Sequence, residues 1–307
     1  MRHRVEYFAA RAVLAVVRIM PDRLVRAAGT ALGFAFYAVD VAHRRIAREN
    51  LMAAFPQRSD AERRAIAREA FGHFGRLLMA LLKFSTLTPQ EMLARVDIDG
   101  EERARSAYAH GKGVLFVTGH FGFWELQALV HALRVEPVSV IGRALDNPLL
   151  NRLLERIRQR TGNTVIYRKG TLRRILRTLQ AGHGVAVLID QHIMSPEAIY
   201  VDFFERPAAT TSAIAALALR TGAPVVPVFA LPQSGGRYRL IYEHPVEPPR
   251  AEGPAAIREF TQRCTDVLEM YVRRDPQLWL WMHRRWRDVP GNAADHGMFP
   301  SADLDVR

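Results

Sequence analysis

A histidine and a glutamate five residues apart form the sharpest chemical feature of the sequence. They lie in the segment Thr118–Leu126, which has the sequence TGHFGFWEL. Histidine exchanges protons near neutral pH because the ordinary pKa of its side chain is about 6.5. A carboxylate beside it could hold one imidazole tautomer and compensate the imidazolium charge. We therefore predict His120 as a general base and Glu125 as the acid that supports it.

Two glycines decide whether these side chains can meet. Residues five apart in a continuous helix are separated by about 140° around the helix axis and do not touch. The backbone must turn between His120 and Glu125, and Gly119 and Gly122 permit that turn. Backbone N–H groups of Phe121–Trp124, or an arginine, could then bind an oxyanion. The alternative is that His120 only satisfies the loop and that Glu125 is solvated.

The sequence contains no motif for a protein nucleophile, a catalytic metal or a nucleotide. There is no G-x-S-x-G turn, no H-E-x-x-H helix and no P-loop. Cys264 is the only cysteine, which excludes an intrachain disulfide and a zinc site built from cysteines. We predict no metal and no cofactor, and a base that activates a hydroxyl of the substrate itself.

Basic side chains follow the histidine segment. Guanidinium groups bind phosphate in bidentate geometry, so these side chains could dock a phosphorylated lipid headgroup or phosphopantetheine. The candidates are Arg143, Arg158, Arg168, Lys169 and Arg173.

Two features of this group have alternative interpretations. Arg173, Arg174 and Arg177 could simply form the solvated face of one helix. Asp190 follows an apolar strand, where it could pair with Arg158 and fix its position, or be an ordinary loop aspartate.

Composition and charge limit the class of protein. The chain has 307 residues, 49% of them hydrophobic, which excludes a disordered or fibrous chain. Lys and Arg number 43 against 31 Asp and Glu, for a formal net charge of +12. Such an excess favours anionic partners, namely nucleic acid, phosphorylated lipid, an acidic protein or a membrane surface.

The N-terminal region, residues 1–42, combines apolar stretches with regularly placed arginines. Its longest uncharged run, Ala27–Val39, has thirteen residues. As a helix this run would reach about 20 Å, against about 30 Å for the hydrocarbon core of a bilayer. We predict a membrane-associating helical region that lies in the interface. A helical hairpin packed on the core and a true membrane span are the alternatives.

From Gly100 onward, short apolar runs alternate with segments of helical length. This pattern predicts an α/β domain with a mostly parallel central sheet flanked by helices, spanning residues 43–290. Arg239–Tyr242 could add an antiparallel edge strand, and residues 291–307 are expected to form a loose tail. The strands are predicted at Val114–Thr118, Pro137–Ile141, Thr164–Tyr167, Val185–Ile189 and Val225–Leu231.

The histidine segment resembles the H-x-x-x-x-(D/E) motif of glycerolipid and lipid A acyltransferases. The sequence is most similar to the late acyltransferases of lipid A synthesis, the lauroyl/myristoyl acyltransferase family. Five further blocks resemble that family in the same order, over roughly residues 5–290. They are GRALDNP from Gly142, RKGTLR from Arg168, DQH from Asp190, VDFFERPAATT from Val201 and WLWMHRRW from Trp279.

The resemblance implies specific roles. His120 and Glu125 match the family's catalytic pair, and an essential arginine matches Arg158, with Arg156 close enough to be an alternative. An aspartate that ends the next strand matches Asp190. The resemblance also implies a glycerolipid acyltransferase-like fold and anchoring at the cytoplasmic face of the bacterial inner membrane.

The partners follow from the same resemblance. The donor would be an acyl-carrier-protein thioester or acyl-CoA, and the acceptor a phosphorylated glycolipid, a lipid A precursor. No nucleic acid is expected as a partner. Other acceptors, a lysophospholipid or a phosphatidylinositol mannoside, stay open, as does a basic membrane-binding protein without catalysis. The tryptophan-rich block from Trp279 could contact a headgroup layer or close the fold as a buried aromatic cluster.

Overall fold

The computed structural model describes residues 1–167, 170–194 and 198–287. Arg168 and Lys169 and the predicted tail at 291–307 lie outside these ranges. The N-terminal part is helical, with α1 at Arg2–Ile19, α2 at Asp22–Val39, α3 at Val41–Ala54, α4 at Asp60–Phe84 and α5 at Pro89–Leu93.

Strands and helices then alternate. They are β1 (Val96–Asp99), α6 (Glu101–Ala109), β2 (Val114–Thr118), α7 (Trp124–Arg134), β3 (Val138–Ile141), α8 (Pro148–Gln159), β4 (Thr164–Ile166), α9 (Thr171–Gln180), β5 (Gly184–Leu188), β6 (Ala198–Phe203), β7 (Arg206–Thr211), α10 (Ala213–Thr221), β8 (Val225–Pro232), β9 (Tyr238–Tyr242) and α11 (Gly253–Arg274).

Seven strands form one sheet in the order β1-β9-β8-β2-β5-β3-β4. All neighbouring pairs are parallel except β8 and β9. The predicted α/β class with a mostly parallel sheet is therefore confirmed. The predicted edge position of β9 is wrong, because β1 pairs with its outer side. Strands β6 and β7 form a separate antiparallel hairpin.

The central strands are buried on both faces, because helices cover the sheet from both sides. Alternate residues of β2 belong to different hydrophobic clusters. Leu115 and Val117 pack in the cluster that contains Leu268 of α11, whereas Val114 and Phe116 pack in the cluster that contains Leu126 of α7. This burial explains why the strand is apolar throughout rather than alternating. It also holds the carboxyl end of β2 rigidly between two helical layers.

The N-terminal helices pack on the domain through glycines. An added Cβ at Gly33 of α2 would lie 2.2 Å from the carbonyl oxygen of Phe71 in α4, and one at Gly75 would lie 2.1 Å from the carbonyl oxygen of Gly29. Only glycine allows two helices to approach this closely. Lys83 of α4 also donates hydrogen bonds to three carbonyls at the end of α1, at 2.9 to 3.2 Å.

Gly33→Ala is expected to destabilise the protein, because its methyl group would overlap the backbone of α4. Overpacking of this kind costs about 1–3 kcal/mol, which chemical denaturation would measure. Ala31→Ser adds one heavy atom at an exposed position of the same helix and serves as the control. Equal stability of Gly33→Ala and the wild type would contradict the close packing of α2 on α4.

No single helix in the described part of the chain is long and apolar enough to cross a membrane. Helices α2 and α3 meet that requirement only when they are taken together, and they are bent by 92° at the break between them. Of the alternatives for residues 1–42, packing on the core agrees with the contacts of α1 with α4 and α8 and of α2 with α4. Their outward surfaces nevertheless carry exposed apolar side chains, including Phe8, Ile19, Phe36 and Val39.

Candidate active site

The ends of two adjacent parallel strands bring the central side chains together. Strands β2 and β5 pair in parallel, with Thr118 opposite Leu188. Ligands of open α/β sheets commonly bind beyond the carboxyl ends of such strands. His120 follows β2 by two residues and Asp190 follows β5 by two residues, so both side chains extend from the same edge of the sheet.

His120 is held by Asp190. Its Nδ1 lies 2.8 Å from Oδ1 of Asp190, and its backbone N–H donates to Oδ2 at 2.7 Å. Because the carboxylate accepts, Nδ1 carries the proton, which leaves Nε2 as the nitrogen that can take up another. The His120 side chain is 19% exposed and the Asp190 side chain 2% exposed. The structure therefore presents a partly accessible imidazole in one tautomer, supported by a buried carboxylate.

The environment of Asp190 keeps its carboxyl group ionised. Burial by itself raises the pKa of a carboxyl group. The charge of His120 and the hydrogen bonds from His120 and from Nε1 of Trp279, at 2.8 Å, outweigh that effect. The pKa of Asp190 is therefore below its ordinary value. Gly119 allows this arrangement, since a Cβ there would lie 2.9 Å from Oδ2 of Asp190.

Glu125 pairs with Arg158 of α8 and not with His120. Nε of Arg158 donates to Oε2 of Glu125 at 2.9 Å, and Nη2 donates to Oε1 in the same bidentate pair. The predicted contact of Glu125 with His120 and the predicted pairing of Asp190 with Arg158 are both wrong. The reason is that β5 brings Asp190 to His120, while α8 brings Arg158 to the first turn of α7.

The Glu125–Arg158 pair is largely enclosed. The Glu125 side chain is 11% exposed and the Arg158 side chain 21% exposed. Burial lowers the pKa of Arg158, but the hydrogen bonds and the charge of Glu125 outweigh it, so that its pKa is raised. Arg156, the alternative for the arginine of this helix, is exposed. The geometry therefore favours Arg158 as the arginine that belongs to the site.

The turn between His120 and α7 is fixed by its backbone. Gly122 adopts φ +59°, and an added Cβ would lie 2.2 Å from the carbonyl oxygen of Ala230. Its N–H donates to Leu278, and the N–H of Phe123 donates to Ala230. These two N–H groups are therefore engaged and are not free to bind an oxyanion. The turn predicted at Gly122 is confirmed.

Two further histidines surround the turn and were not predicted as part of the site. Burial lowers the pKa of His73 to about 4, and its Nε2 lies 3.1 Å from the carbonyl oxygen of Gly122. Burial also lowers the pKa of His283 to about 4, and its Nε2 accepts a hydrogen bond from the backbone of His192 at 3.0 Å. Both are therefore neutral at pH 7. His73 lies on α4, so no local motif connects it with the site.

The tryptophan-rich block near the end of the described chain closes the fold. Trp279 and Trp281 are buried, with ring centroids 4.6 Å apart. Leu280 donates its N–H to the carbonyl of His120 at 3.1 Å. Of the two alternatives for this block, the buried aromatic cluster is confirmed for these rings. The block also contacts both His120 and Asp190, because Leu280 donates to the carbonyl of His120 and Trp279 donates to the carboxylate of Asp190.

Arg143 and Arg173, the other predicted basic residues within the described ranges, are not brought into contact with His120. The Arg143 side chain is 69% exposed and lies 3.4 Å from Asp146 on the surface. Arg168 and Lys169 fall outside the described residues. Of the two interpretations of the arginines of α9, the structure agrees with the solvated helix face, since all three are exposed; they are Arg173, Arg174 and Arg177.

An apolar cavity of about 50 Å³ adjoins the Glu125–Arg158 pair. Its other walls include Trp124 and Leu188. A second cavity of about 20 Å³ continues along the same part of the sheet toward Phe116 and shares Thr118, Gln127, Ala128 and Ala186 with the first. Such space beside polar groups suits a hydrocarbon chain better than a charged ligand.

The similarity to known proteins extends beyond the site, with its imidazole, buried aspartate and enclosed glutamate–arginine pair, to the whole sequence. The sequence model of the family described as bacterial lipid A biosynthesis acyltransferase matches residues 1–288. The chain belongs to this family. It is accordingly an acyltransferase, and the resemblance that starts from the six sequence blocks is confirmed over nearly the whole chain.

Several curated proteins that are similar to this chain are named as enzymes of lipid A biosynthesis. The chain is 29% identical to a lipid A biosynthesis lauroyltransferase of Escherichia coli K12 over 282 residues, which cover 91% of this chain and 90% of the relative. It is 26% identical to the lipid A biosynthesis myristoyltransferase of the same strain over 240 residues, 78% of this chain and 73% of the relative. A palmitoleoyltransferase of that strain is 29% identical over 251 residues, 80% of this chain and 79% of the relative.

Proposed function

We propose that this acyltransferase moves a fatty acyl group from a thioester to a hydroxyl of a lipid A precursor. The observation that carries the proposal is the His120–Asp190 pair, because it leaves Nε2 of an accessible imidazole to act as a base. Names of the relatives, which include lauroyl, myristoyl and palmitoleoyl transfer in lipid A biosynthesis, support a fatty acyl donor and a glycolipid acceptor.

In the proposed reaction, Nε2 of His120 takes the proton of the acceptor hydroxyl. The oxygen attacks the thioester carbonyl carbon and forms a tetrahedral intermediate. Its collapse breaks the carbon–sulfur bond, and the imidazolium returns its proton to the leaving thiolate. Asp190 stays ionised and stabilises the imidazolium, while it keeps the ring in the required tautomer. No protein nucleophile is needed.

Arg158 is proposed to bind the negative charge that develops on the substrate. Its guanidinium could stabilise the oxyanion or hold a phosphate of the acceptor. Glu125 then supports the reaction through Arg158, which it aligns by the bidentate ion pair. This assignment keeps both residues of the predicted site but gives Glu125 a different partner.

The cavity beside Glu125 and Arg158, and the smaller cavity that continues from it, are proposed to receive the start of the acyl chain. The donor is an acyl-carrier-protein thioester or acyl-CoA. A net charge of +12 favours encounter with an acidic carrier protein, because opposite charges accelerate association. No cofactor is part of the proposal.

The N-terminal helices are proposed to bind the cytoplasmic face of the bacterial inner membrane. Exposed apolar residues on α1 and α2, such as Phe8 and Phe36, are accompanied by exposed Arg4, Arg11 and Arg23. Aromatic and aliphatic side chains next to arginines suit an interface with anionic lipids. Membrane binding there would bring the enzyme to an acceptor that is itself a membrane lipid.

The masses of the lipid products identify which acceptor is acylated and which donor supplies the acyl group. The purified protein would be incubated with a tetra-acylated lipid A precursor, a lysophospholipid or a phosphatidylinositol mannoside, each with either donor. The masses of the lipid products would be measured by mass spectrometry. We expect the acceptor to gain the mass of one acyl group. Acylation of a lysophospholipid or of a phosphatidylinositol mannoside, with no change in the lipid A precursor, would contradict the proposed acceptor.

A double-mutant cycle tests the role given to Glu125. Glu125→Gln and Arg158→Gln should each lower the acyl-transfer rate, and the double variant should be no slower than the slower single variant, because the two residues act as one unit. Additive losses in the double variant would contradict this and would favour a partner of Glu125 other than Arg158, such as His120. Glu155→Gln on α8 is the control for a lost carboxylate.

A further inference from the structure

Arginines line a cavity that the proposed acyl transfer does not use. The cavity has a volume of about 130 Å³ and lies between α2, α4 and the turn that joins β8 to β9. Arg26, Arg76 and Arg237 contribute to its walls. None of the described residues that line it is acidic, so its wall carries positive charge only.

Two of these arginines have no carboxylate partner in the described chain. Nη1 of Arg26 is buried without a hydrogen-bond partner there. Nη1 of Arg76 donates to the hydroxyl of Thr30 at 3.3 Å, a neutral acceptor. Arg237 differs, because its guanidinium forms an ion pair with Asp97. Arg26 and Arg76 are both only partly exposed, and guanidinium groups without a carboxylate partner attract anions, so a counterion in this cavity would be stabilised.

The cavity has room for such a counterion and a route of entry. A water molecule takes about 30 Å³ in the liquid, so a cavity of about 130 Å³ can hold a group several times larger. Arg237 and Gln233 are exposed at its rim. The guanidinium donors in the wall match the oxygens of phosphate, which arginine binds with paired N–H donors.

We propose that this cavity binds a phosphate group through Arg26 and Arg76, at a site separate from His120 and Asp190. The phosphate could belong to a soluble compound or to the headgroup of a membrane phospholipid. The bound phosphate would lie next to the turn between His120 and α7. Phe123 of this turn lines the cavity, and His73, another lining residue, contacts the carbonyl of Gly122. The proposal does not depend on which lipid accepts the acyl group.

Thermal unfolding tests the site without any measurement of acyl transfer. The wild type, Arg26→Gln, Arg76→Gln and Arg23→Gln would be heated with increasing inorganic phosphate at constant ionic strength. Arg23 is exposed on the same helix and does not line the cavity, so its variant controls for the lost charge. Phosphate also stabilises proteins without binding to a specific site. The rise in Tm that remains in the cavity variants measures this general effect.

A saturable rise of about 2–4 °C in Tm is expected for the wild type and for Arg23→Gln at a phosphate concentration of about ten times Kd. The two cavity variants should lose most of this rise. An equal shift in all four proteins would overturn the proposal. Arg26→Lys keeps the charge but loses the paired donors; it should show a weaker shift and replaces Arg26→Gln if that variant does not fold.

Vesicles distinguish the two sources of phosphate. The wild type, the two cavity variants and Arg220→Gln, a control on α10 whose side chain is exposed and does not line the cavity, would be bound to phosphatidylcholine vesicles with and without phosphatidic acid, which carries a terminal phosphate. Weaker binding of only the cavity variants, with competition by inorganic phosphate in the wild type, would support a lipid headgroup. Equal vesicle binding together with a cavity-dependent phosphate shift would support a soluble compound. If the phosphate-induced rise in Tm and the vesicle binding are both unchanged in the cavity variants, the proposed site is overturned.

Discussion

His120→Ala should lower the rate of acyl transfer by about 10²–10⁴-fold, the usual contribution of a general base. The substitution removes the Nε2 that is proposed to take the hydroxyl proton. His73 and His283 are neutral and already occupied by backbone partners. The rate would be measured with an acyl thioester and a lipid A precursor, with lipid products quantified by mass spectrometry.

The control for this variant is His183→Ala. The His183 side chain is 61% exposed and lies at the surface near Glu136, so its loss should leave acyl transfer unchanged. The thermal unfolding of both variants would be recorded, because a folded but inactive His120→Ala is required. Near-full activity of His120→Ala would refute the proposed base.

Asp190→Asn should lower the same rate by about 10²–10⁴-fold, although the side chain changes by only one heavy atom. The amide NH₂ can donate to Nδ1 of His120, which would move the ring proton to Nε2. A protonated Nε2 cannot take a proton from the acceptor. In serine proteases, the same change of the buried triad aspartate lowers kcat by about 10⁴-fold, because the histidine is then held in the wrong tautomer.

Asp190 also organises the protein around it, so stability must be measured together with activity. It accepts hydrogen bonds from the backbone of His120 and from Trp279. Asp146→Asn, at a side chain that is 94% exposed, is the control for a lost carboxylate. A folded Asp190→Asn enzyme with a normal rate would contradict the positioning role. The same rate loss in Glu125→Gln, without any dependence on Arg158, would instead favour the predicted His120–Glu125 pair.

Local sequence signals are sufficient for most of the secondary structure. Apolar runs between glycines and polar residues predict β2 with the observed bounds, because burial of a whole strand requires a continuous apolar run. The sequence also predicts a helix from Asp60 to Phe84, with Asp60 as its N-cap. The helix α4 has these bounds, but its N-cap is Ser59, which forms a capping box with Glu62.

Among the described strands, β1 and the two strands of the hairpin β6–β7 are not predicted from the sequence, for identifiable reasons. The strand Val96–Asp99 has only four residues and alternates with aspartates, so it lacks the apolar run that marks the other strands. The hairpin β6–β7 contains Pro207, which is unfavourable in a central strand but is tolerated here because the hairpin has only two strands. Its end at Thr211 resembles a helix cap.

The sequence by itself was sufficient to name four residues of the candidate site, His120, Glu125, Arg158 and Asp190, from their types, their places after strands or in helices, and the family resemblance. Only the tertiary structure decided their partners. His120 and Asp190 are 70 residues apart, and Glu125 and Arg158 are 33 apart. Such contacts depend on the order of strands in the sheet and on the placement of α8 beside α7. No local spacing encodes that order, because packing of the whole domain selects it.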